Sequence, residues 1–442
     1  MKTHTSSPRT LKLLSLVAII FFSVSGGPYG LEPLLQFAGK NGALLLLIIV
    51  PLLWDIPTVL TVLELNSMMP INGGYYIWVH RALGLRWAFY EGWWTLLYSF
   101  TDLAIYPVLF VTYLSFFFPT IAVYKIPLCL LIIWGCSGLN ILGIVRIGNI
   151  SIILGAIVLI PFFILFWITF SNQSFHFTVP AFSLNGIGFT SLGMALYTIM
   201  WNISGWDNTT TYAGEVDKPV RSYLISMGIA FILVILLYLL TTYIAQNSEI
   251  DFNKLSDGGY PLLGIQTAGW WLGVILSLGG MASTLGIFST MVLSISRIPK
   301  VMADDKLLPL KFSALHKKYN TPYISIIVCA TFVSFMVLWK FTDLIVIDMI
   351  LYGAGLLLEF MSLIVLRIKE PAAPRPFKIP LGTFLLCLLV LLPMVVYGIA
   401  IIALFNQSGN MSTASIFAIC ALLTAEIAWL IVKWRSFSKK ES

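Results

Sequence analysis

Residues 25–30 read Ser25-Gly26-Gly27-Pro28-Tyr29-Gly30, and they cut through an apolar run that starts at Leu13. Glycine favours backbone outside the helix and proline removes a donor, so the run is expected to lose its helix here. A second interruption, Asn202-Ile203-Ser204-Gly205-Trp206, divides the sixth apolar segment. In hydrocarbon an unpaired peptide group costs several kcal/mol, so irregular backbone survives at membrane depth only where protein or a watery cavity receives it. Two such breaks imply a cavity. Half-helix ends there present amides and carbonyls that hold a carboxylate at one end and an ammonium or metal cation at the other. That is the chemistry of a solute carrier, and it makes Ser25, Gly26, Gly27, Gly30, Asn202, Ser204 and Gly205 candidate substrate contacts.

Composition sets the surroundings of these breaks. Of 442 residues, 59% are hydrophobic and 10% charged, and the mean hydropathy is +0.93. No ordinary water-soluble domain has that balance. About twelve apolar runs are each long enough to cross a hydrocarbon core of about 30 Å, which predicts an all-α polytopic membrane protein. With the N-terminus placed in the cytoplasm, the 26 basic residues fall in inside segments except Lys40, Lys125, Lys254 and Lys340. Both termini are therefore expected in the cytoplasm, and the net charge of +7 is a topological bias rather than a sign of a nucleic-acid partner. The bilayer of the plasma or inner membrane is the expected setting. Cys129, Cys136, Cys329, Cys387 and Cys420 all lie in expected spans, as small apolar side chains without a disulfide framework. Lys12, the run Leu13 to Phe22 and the small residues Ser23 and Ser25 also resemble a signal peptide. The partner break near Gly205 argues for retention.

The breaks lie five spans apart, so the sixth enters from the opposite side to the first. The halves then read as inverted copies, residues 11–170 and 189–366, within a single transporter domain spanning 1–442. A basic, Pro-rich connection from Arg367 to Pro380 leads to two accessory helices over 379–434, expected to serve packing. The turn and aromatic segment from Asn72 to Trp78 reads as a gate or an anchor at the membrane interface. Residues 171–188, and 247–261 with Asp251 and Asp257, read as the longer outside loops.

Carboxylates at membrane depth are costly, and this chain has several: Glu32, Asp55, Glu64, Glu91, Asp102, Asp207, Asp348, Glu359 and Glu426. Lys and Arg at matching depth are almost absent, so protons, metal ions or substrate ammonium groups must compensate them. Asp207 directly follows the second break. A carboxylate there can be neutral when the cavity faces one side and charged when it faces the other, which suits proton coupling; its alternative is an N-cap for a following half-helix. Glu32 either attracts an amine or caps the half-helix after the first break. Asp102 and Tyr106 share a helical face with Tyr98, and Glu91 shares one with Trp94, arrangements suited to a cation through charge and ring quadrupole. Trp93 and Trp94 fit an interfacial belt equally well. Glu64 is expected to pair with a loop arginine. Ser283 and Thr284 are sodium candidates, although Gly279, Gly280, Ala282 and Gly286 around them suit helix packing better.

Enzyme chemistry finds little support: His4, His80, His176 and His316 are scattered, the cysteines lack metal spacing, and no phosphate-cradling glycine loop is followed by lysine. No cofactor is expected. A membrane transferase is the remaining competitor from another class.

At these same residues the chain resembles the amino acid/polyamine/organocation superfamily of permeases, most closely the branch of the plant polyamine uptake transporters. The likeness rests on SGGPYGLE (Ser25 to Glu32), the second-span pattern around Trp54, Pro57 and Glu64, NGGYYIW (Asn72 to Trp78) and DLAIYPVLF (Asp102 to Phe110). WNISGWD (Trp201 to Asp207), AGEVDKP (Ala213 to Pro219) and MADDKLLP (Met302 to Pro309) extend it over nearly the whole chain. The resemblance implies a five-plus-five inverted-repeat core working by alternating access, with first-break amides and carbonyls of both breaks on the substrate backbone. It makes Asp207 the acid tied to substrate or proton sensing, and Trp201 and Trp206 cavity walls or gates. The lysine of some bacterial relatives' fifth span is Gly155 here, and the branch's glutamate in the second span is Thr58. The expected activity is a proton-coupled permease for amino acids or polyamines, a cation being favoured by Glu32, Glu91, Asp102 and Asp207; the alternatives are a neutral amino acid and a sodium-coupled or exchange mode.

Overall fold

The computed structural model describes residues 11–171, 182–248, 258–339, 341–405 and 413–438. Most of the expected outside loops, with Asp251 and Asp257, lie outside the described residues, as do His4 and His176. Among the described residues the regular structure is helical, apart from two isolated β-bridges joining Leu11 to Val216 and Asn72 to Tyr212.

Helix α1 (Leu13–Val24) stops at the first break, and α2 (Pro33–Val50) starts beyond it. Gly39, at φ +64°, divides α2 into the short outer part of the first span and the start of the second. The second span runs on through a π-helical turn, Pro51–Asp55, into α3 (Ile56–Met68). After the lateral α4 (Gly74–Leu83) come α5 (Leu85–Leu114), α6 (Lys125–Ile141) and α7 (Ile144–Ser171). Helix α8 (Phe189–Asn202) stops at the second break, and α9 (Pro219–Gln246) is the seventh span. A short α10 (Tyr260–Ala268) precedes α11 (Trp270–Ile295), α12 (Arg297–Asp304), α13 (Tyr323–Met336) and α14 (Phe341–Lys369). Helices α15 (Thr383–Phe405) and α16 (Thr413–Ser438) complete the chain.

Among the described residues nine helical stretches are long and apolar enough to cross a membrane. The shorter α1, α8 and α13 supply the remaining expected spans. Leu131, Trp167, Phe384, Leu423 and Trp434 are largely exposed on the outer surfaces, as side chains facing lipid tails would be. Small residues let α11 approach the centre: Gly279 abuts Tyr29, Gly280 abuts Tyr113 and Gly286 abuts Phe22, which is the packing expected of that helix. Helices α5 and α14 form the most extensive contact, while α15 packs on α8 and α16 on α5 and α14.

Two expectations change. No half-helix follows the second break; the chain takes 3-10 turns over Asn208–Thr211 and Ala213–Glu215. The threonine hydroxyls compete for local carbonyls, Thr210 Oγ1 donating to Asp207 O at 2.6 Å and Thr211 Oγ1 to Asn208 O at 2.9 Å, and β-branching disfavours the helix further. The segment around α4 is not an interfacial anchor either. Tyr75, Tyr76 and Trp78 are each 0% exposed, because α4 tucks beneath α5 and α14 rather than facing lipid headgroups.

Candidate functional site

The two breaks touch. Asn202 Nδ2 donates to Gly30 O at 3.1 Å, and the Tyr238 hydroxyl of α9 lies 2.7 Å from both Ser25 Oγ and Asn202 O. Gly205, at φ +98°, lets the second break close on the first, since a Cβ there would sit 2.5 Å from Ser23 O. Left-handed backbone and a clash with a fixed carbonyl together require glycine. Gly205→Ala is expected to abolish transport while protein still reaches the membrane; uptake near the wild-type level would show that the breaks need not meet so closely.

Between the breaks lies a small, partly open cavity. Its walls combine residues of both breaks with Asp102 and Tyr106 of α5, Trp201 of α8, Asn208 of the 3-10 turn, Met291 of α11, and Asp348 and Tyr352 of α14. Asp102 Oδ1 accepts from Tyr106 at 2.6 Å and from Trp201 Nε1 at 3.1 Å. The Tyr106 and Trp201 rings stack with centroids 6.1 Å apart, and Trp201 covers Gly30, so this pair roofs the cavity. Asp348 Oδ1 is buried with no hydrogen-bond partner. Among the described residues lining the cavity, none is basic. Two acidic groups, three tyrosines and a tryptophan around one space can hold ammonium groups by charge and by their ring faces.

Ser25, Asp102, Tyr106, Trp201, Asn202, Ser204 and Gly205 line this cavity as expected of them. The others do not. Gly26 and Gly27 shape the first break, and Gly27 N–H is taken by Ser25 Oγ at 3.0 Å. Gly30 N–H donates to Glu32 Oε2 at 2.6 Å, while Tyr113 donates to Glu32 Oε1 at 2.8 Å. Glu32 stands at the N-cap position of α2 without a side-chain bond to that helix; its carboxylate is held by the break and by α5 instead. Trp206 faces away from the cavity, its Nε1 donating to Asp55 Oδ1 at 3.1 Å and its ring packing on Phe231. The π-helical turn causes this: it presents two successive residues to the second break, Asp55 to Trp206 and Trp54 to Ser204. Asp207 sits just behind the wall, where Tyr352 donates to its Oδ1 at 2.9 Å and accepts from Gly205 N–H at 3.2 Å.

Glu91 does not line the cavity either. It faces Gly355 of α14, while Trp93 and Trp94 donate to Thr424 and to the Leu422 carbonyl of α16. The aromatic pair belongs to helix packing, so no aromatic box forms around Glu91. Ser283 does lie against the first break, beside Gly26, with its hydroxyl lacking a protein partner, whereas Thr284 bonds within its own helix to Met281 O. Glu64 pairs with Arg367 and Arg375, and Glu426 pairs with Arg86. The residues missed as site members are Asp348, Tyr352 and Asn208. A signal existed: Asp348 and Tyr352 stand four apart on one span, like Tyr98 and Asp102 on another.

Nine long apolar helices among the described residues, two interrupted segments in contact and an acidic cavity at their junction define a polytopic membrane carrier. The chain belongs to the amino acid permease family, which it matches over residues 11–427. It is 31% identical over 395 residues to polyamine transporter RMV1 of Arabidopsis thaliana, covering 88% of this chain and 80% of that one. It is 32% identical over 386 residues to polyamine transporter PUT1 of Oryza sativa subsp. japonica, covering 86% and 71%. Branched-chain amino acid permease BcaP of Bacillus subtilis is 25% identical over 348 residues, covering 72% of each chain.

Proposed function

We propose that this carrier takes up a di- or polyamine by alternating access and couples the uptake to protons. The observation that carries the reading is the pairing of Asp102 and Asp348 in one cavity without a basic residue among its described lining. Two ammonium groups on a flexible chain satisfy two carboxylates, and aromatic faces stabilise the same cations. The amides of the first break argue in the same direction. An amino acid would need free N–H groups for its carboxylate, yet Gly27 N–H is held by Ser25 and Gly30 N–H by a resident carboxylate, Glu32. The relatives RMV1 and PUT1 are named as polyamine transporters.

In this reading residues 11–170 and 189–366 act as the two inverted halves, 379–434 brace them, and both termini face the cytoplasm of a plasma or inner membrane. Asp207 carries the coupling proton. It touches Tyr352, which lines the cavity, so ligand and proton share one wall.

Uptake of labelled putrescine, spermidine, arginine and leucine by proteoliposomes, with an inward proton gradient, an inward sodium gradient or none, tests the reading. Putrescine or spermidine uptake stimulated by the proton gradient is expected; transport of leucine alone would reject the cation. Asp207→Asn is expected to leave uptake independent of the proton gradient, and retained stimulation would remove Asp207 from coupling.

A further inference from the structure

Beneath the cavity a second polar set remains, unused by the substrate. On α5, Glu91, Thr95, Tyr98 and Asp102 follow at spacings of four, three and four, and on α14 Asp348, Tyr352, Gly355 and Glu359 repeat those spacings. Each series forms one helical stripe. The helices cross the membrane in opposite directions and pack together, so the stripes face each other from the cavity towards the face with the basic loops. Tyr98 and Tyr352 meet edge to face at 5.3 Å. Gly355 makes room for Glu91, whose Oε1 lies 3.1 Å from where a Cβ would stand. Asp207 closes the set, in contact with Tyr352 and within hydrogen-bonding reach of Glu359.

Glu91, Asp207 and Glu359 are each no more than 2% exposed. The groups facing them are Tyr75 of α4, Tyr98 of α5 and Tyr352 of α14. Among the described residues no lysine or arginine pairs with any of the three. Arg367, about two turns beyond Glu359 on α14, is held by Glu64. Glu91 Oε2, Glu359 Oε2 and the Tyr75 hydroxyl are buried without a hydrogen-bond partner. Buried carboxyl oxygens and a hydroxyl left unpaired around one spot call for a small exchangeable ligand. Among the described residues no group of acids is placed to hold a metal ion.

We propose that Glu359 and Glu91 are the exit limb of the proton path. A proton on Asp207 passes to the Glu359 carboxylate, then to Glu91, and leaves to water at the cytoplasmic face. Each transfer breaks one O–H bond on the donor carboxyl and forms one on the acceptor, leaving the donor as the carboxylate. The order follows from depth: Glu359 adjoins Asp207, whereas Glu91 is six residues from the basic end of α5, about 9 Å along the axis. This inference rests on the proton-coupled reading above.

The test uses the full chain in liposomes, comparing Glu91→Gln and Glu359→Gln with wild type. Accumulation of labelled putrescine driven by a proton gradient is expected to fall about tenfold or more in each variant, while putrescine exchange at equal pH stays within about twofold. Infrared difference spectra between acid and alkaline pH, recorded on the lipid-embedded protein without substrate, are expected to lose protonated-carboxyl intensity in both variants. Gradient-driven accumulation at the wild-type level, or unchanged spectra, overturns the relay. So does loss of exchange in both variants, since glutamine keeps the volume and neither residue is assigned to substrate. A wild type that transports putrescine without regard to the gradient defeats proton coupling itself, and the spectra still judge the pair.

Discussion

Asp102→Asn is expected to lower putrescine uptake by about two orders of magnitude, mostly through a higher KM, because truncating one side of a desolvated charge pair costs about 2 to 5 kcal/mol. Asparagine keeps the volume and an acceptor for the Tyr106 and Trp201 donors, so the roof of the cavity survives. What is lost is the charge. Asp348→Asn is expected to act alike, although Asp348 Oδ1 starts without a partner and its removal disturbs the resting structure less. The comparison that matters is between ligands: a monoamine needs one carboxylate and should be hurt by one of the two substitutions more than the other, whereas a diamine should suffer from both. Initial rates over a range of putrescine concentrations decide it. If either variant stays within about threefold of wild type in kcat/KM, that carboxylate is not an ammonium site.

Arg367→Leu is expected to destabilise the protein by about 3 kcal/mol, read as a lower thermal midpoint of the purified protein. Its guanidinium meets Glu64 Oε1 and Oε2 at 2.5 and 2.6 Å and also donates to Ile379 O at 2.8 Å. Both side chains are buried, at 7% and 1% exposure. Removing the arginine leaves a buried carboxylate that only Arg375, at 3.3 Å, and Ile379 N–H, at 2.9 Å, still compensate. The double variant Glu64→Leu with Arg367→Leu should recover part of the loss, since an apolar replacement of a whole buried pair is often tolerated. Equal midpoints for wild type and Arg367→Leu would mean that Arg375 alone suffices. This network ties the second span to the connection after α14, which places the accessory helices against the core.

Much of the carrier was legible from residue order. Glycine and proline at residues 25–30 leave peptide groups unpaired in hydrocarbon, so once the segment is retained the breaks and the cavity between them followed from backbone chemistry. Asp102, Tyr106 and Trp201 were found because buried charge and aromatic residues at helical spacing are visible in one segment. Glu32, Glu91, Trp206 and the half-helix after Asp207 came out differently for a common reason. Each depends on which neighbour a side chain meets across segments, and an acid that meets a break amide reads in sequence like one that meets an ammonium group. Asp348 was visible as a deep acid, but its partner Asp102 lies 246 positions away.

Residue order alone determined that this chain is an all-α membrane protein with two interrupted spans, because the cost of burying charge and bare peptide in lipid is local and additive along the chain. Tertiary structure alone decided which acids face the cavity, which cap a break and which line the seam between α5 and α14. Those roles are set by distances between helices, and helix spacing is governed by small residues such as Gly205, Gly280 and Gly355, whose partners are remote in sequence.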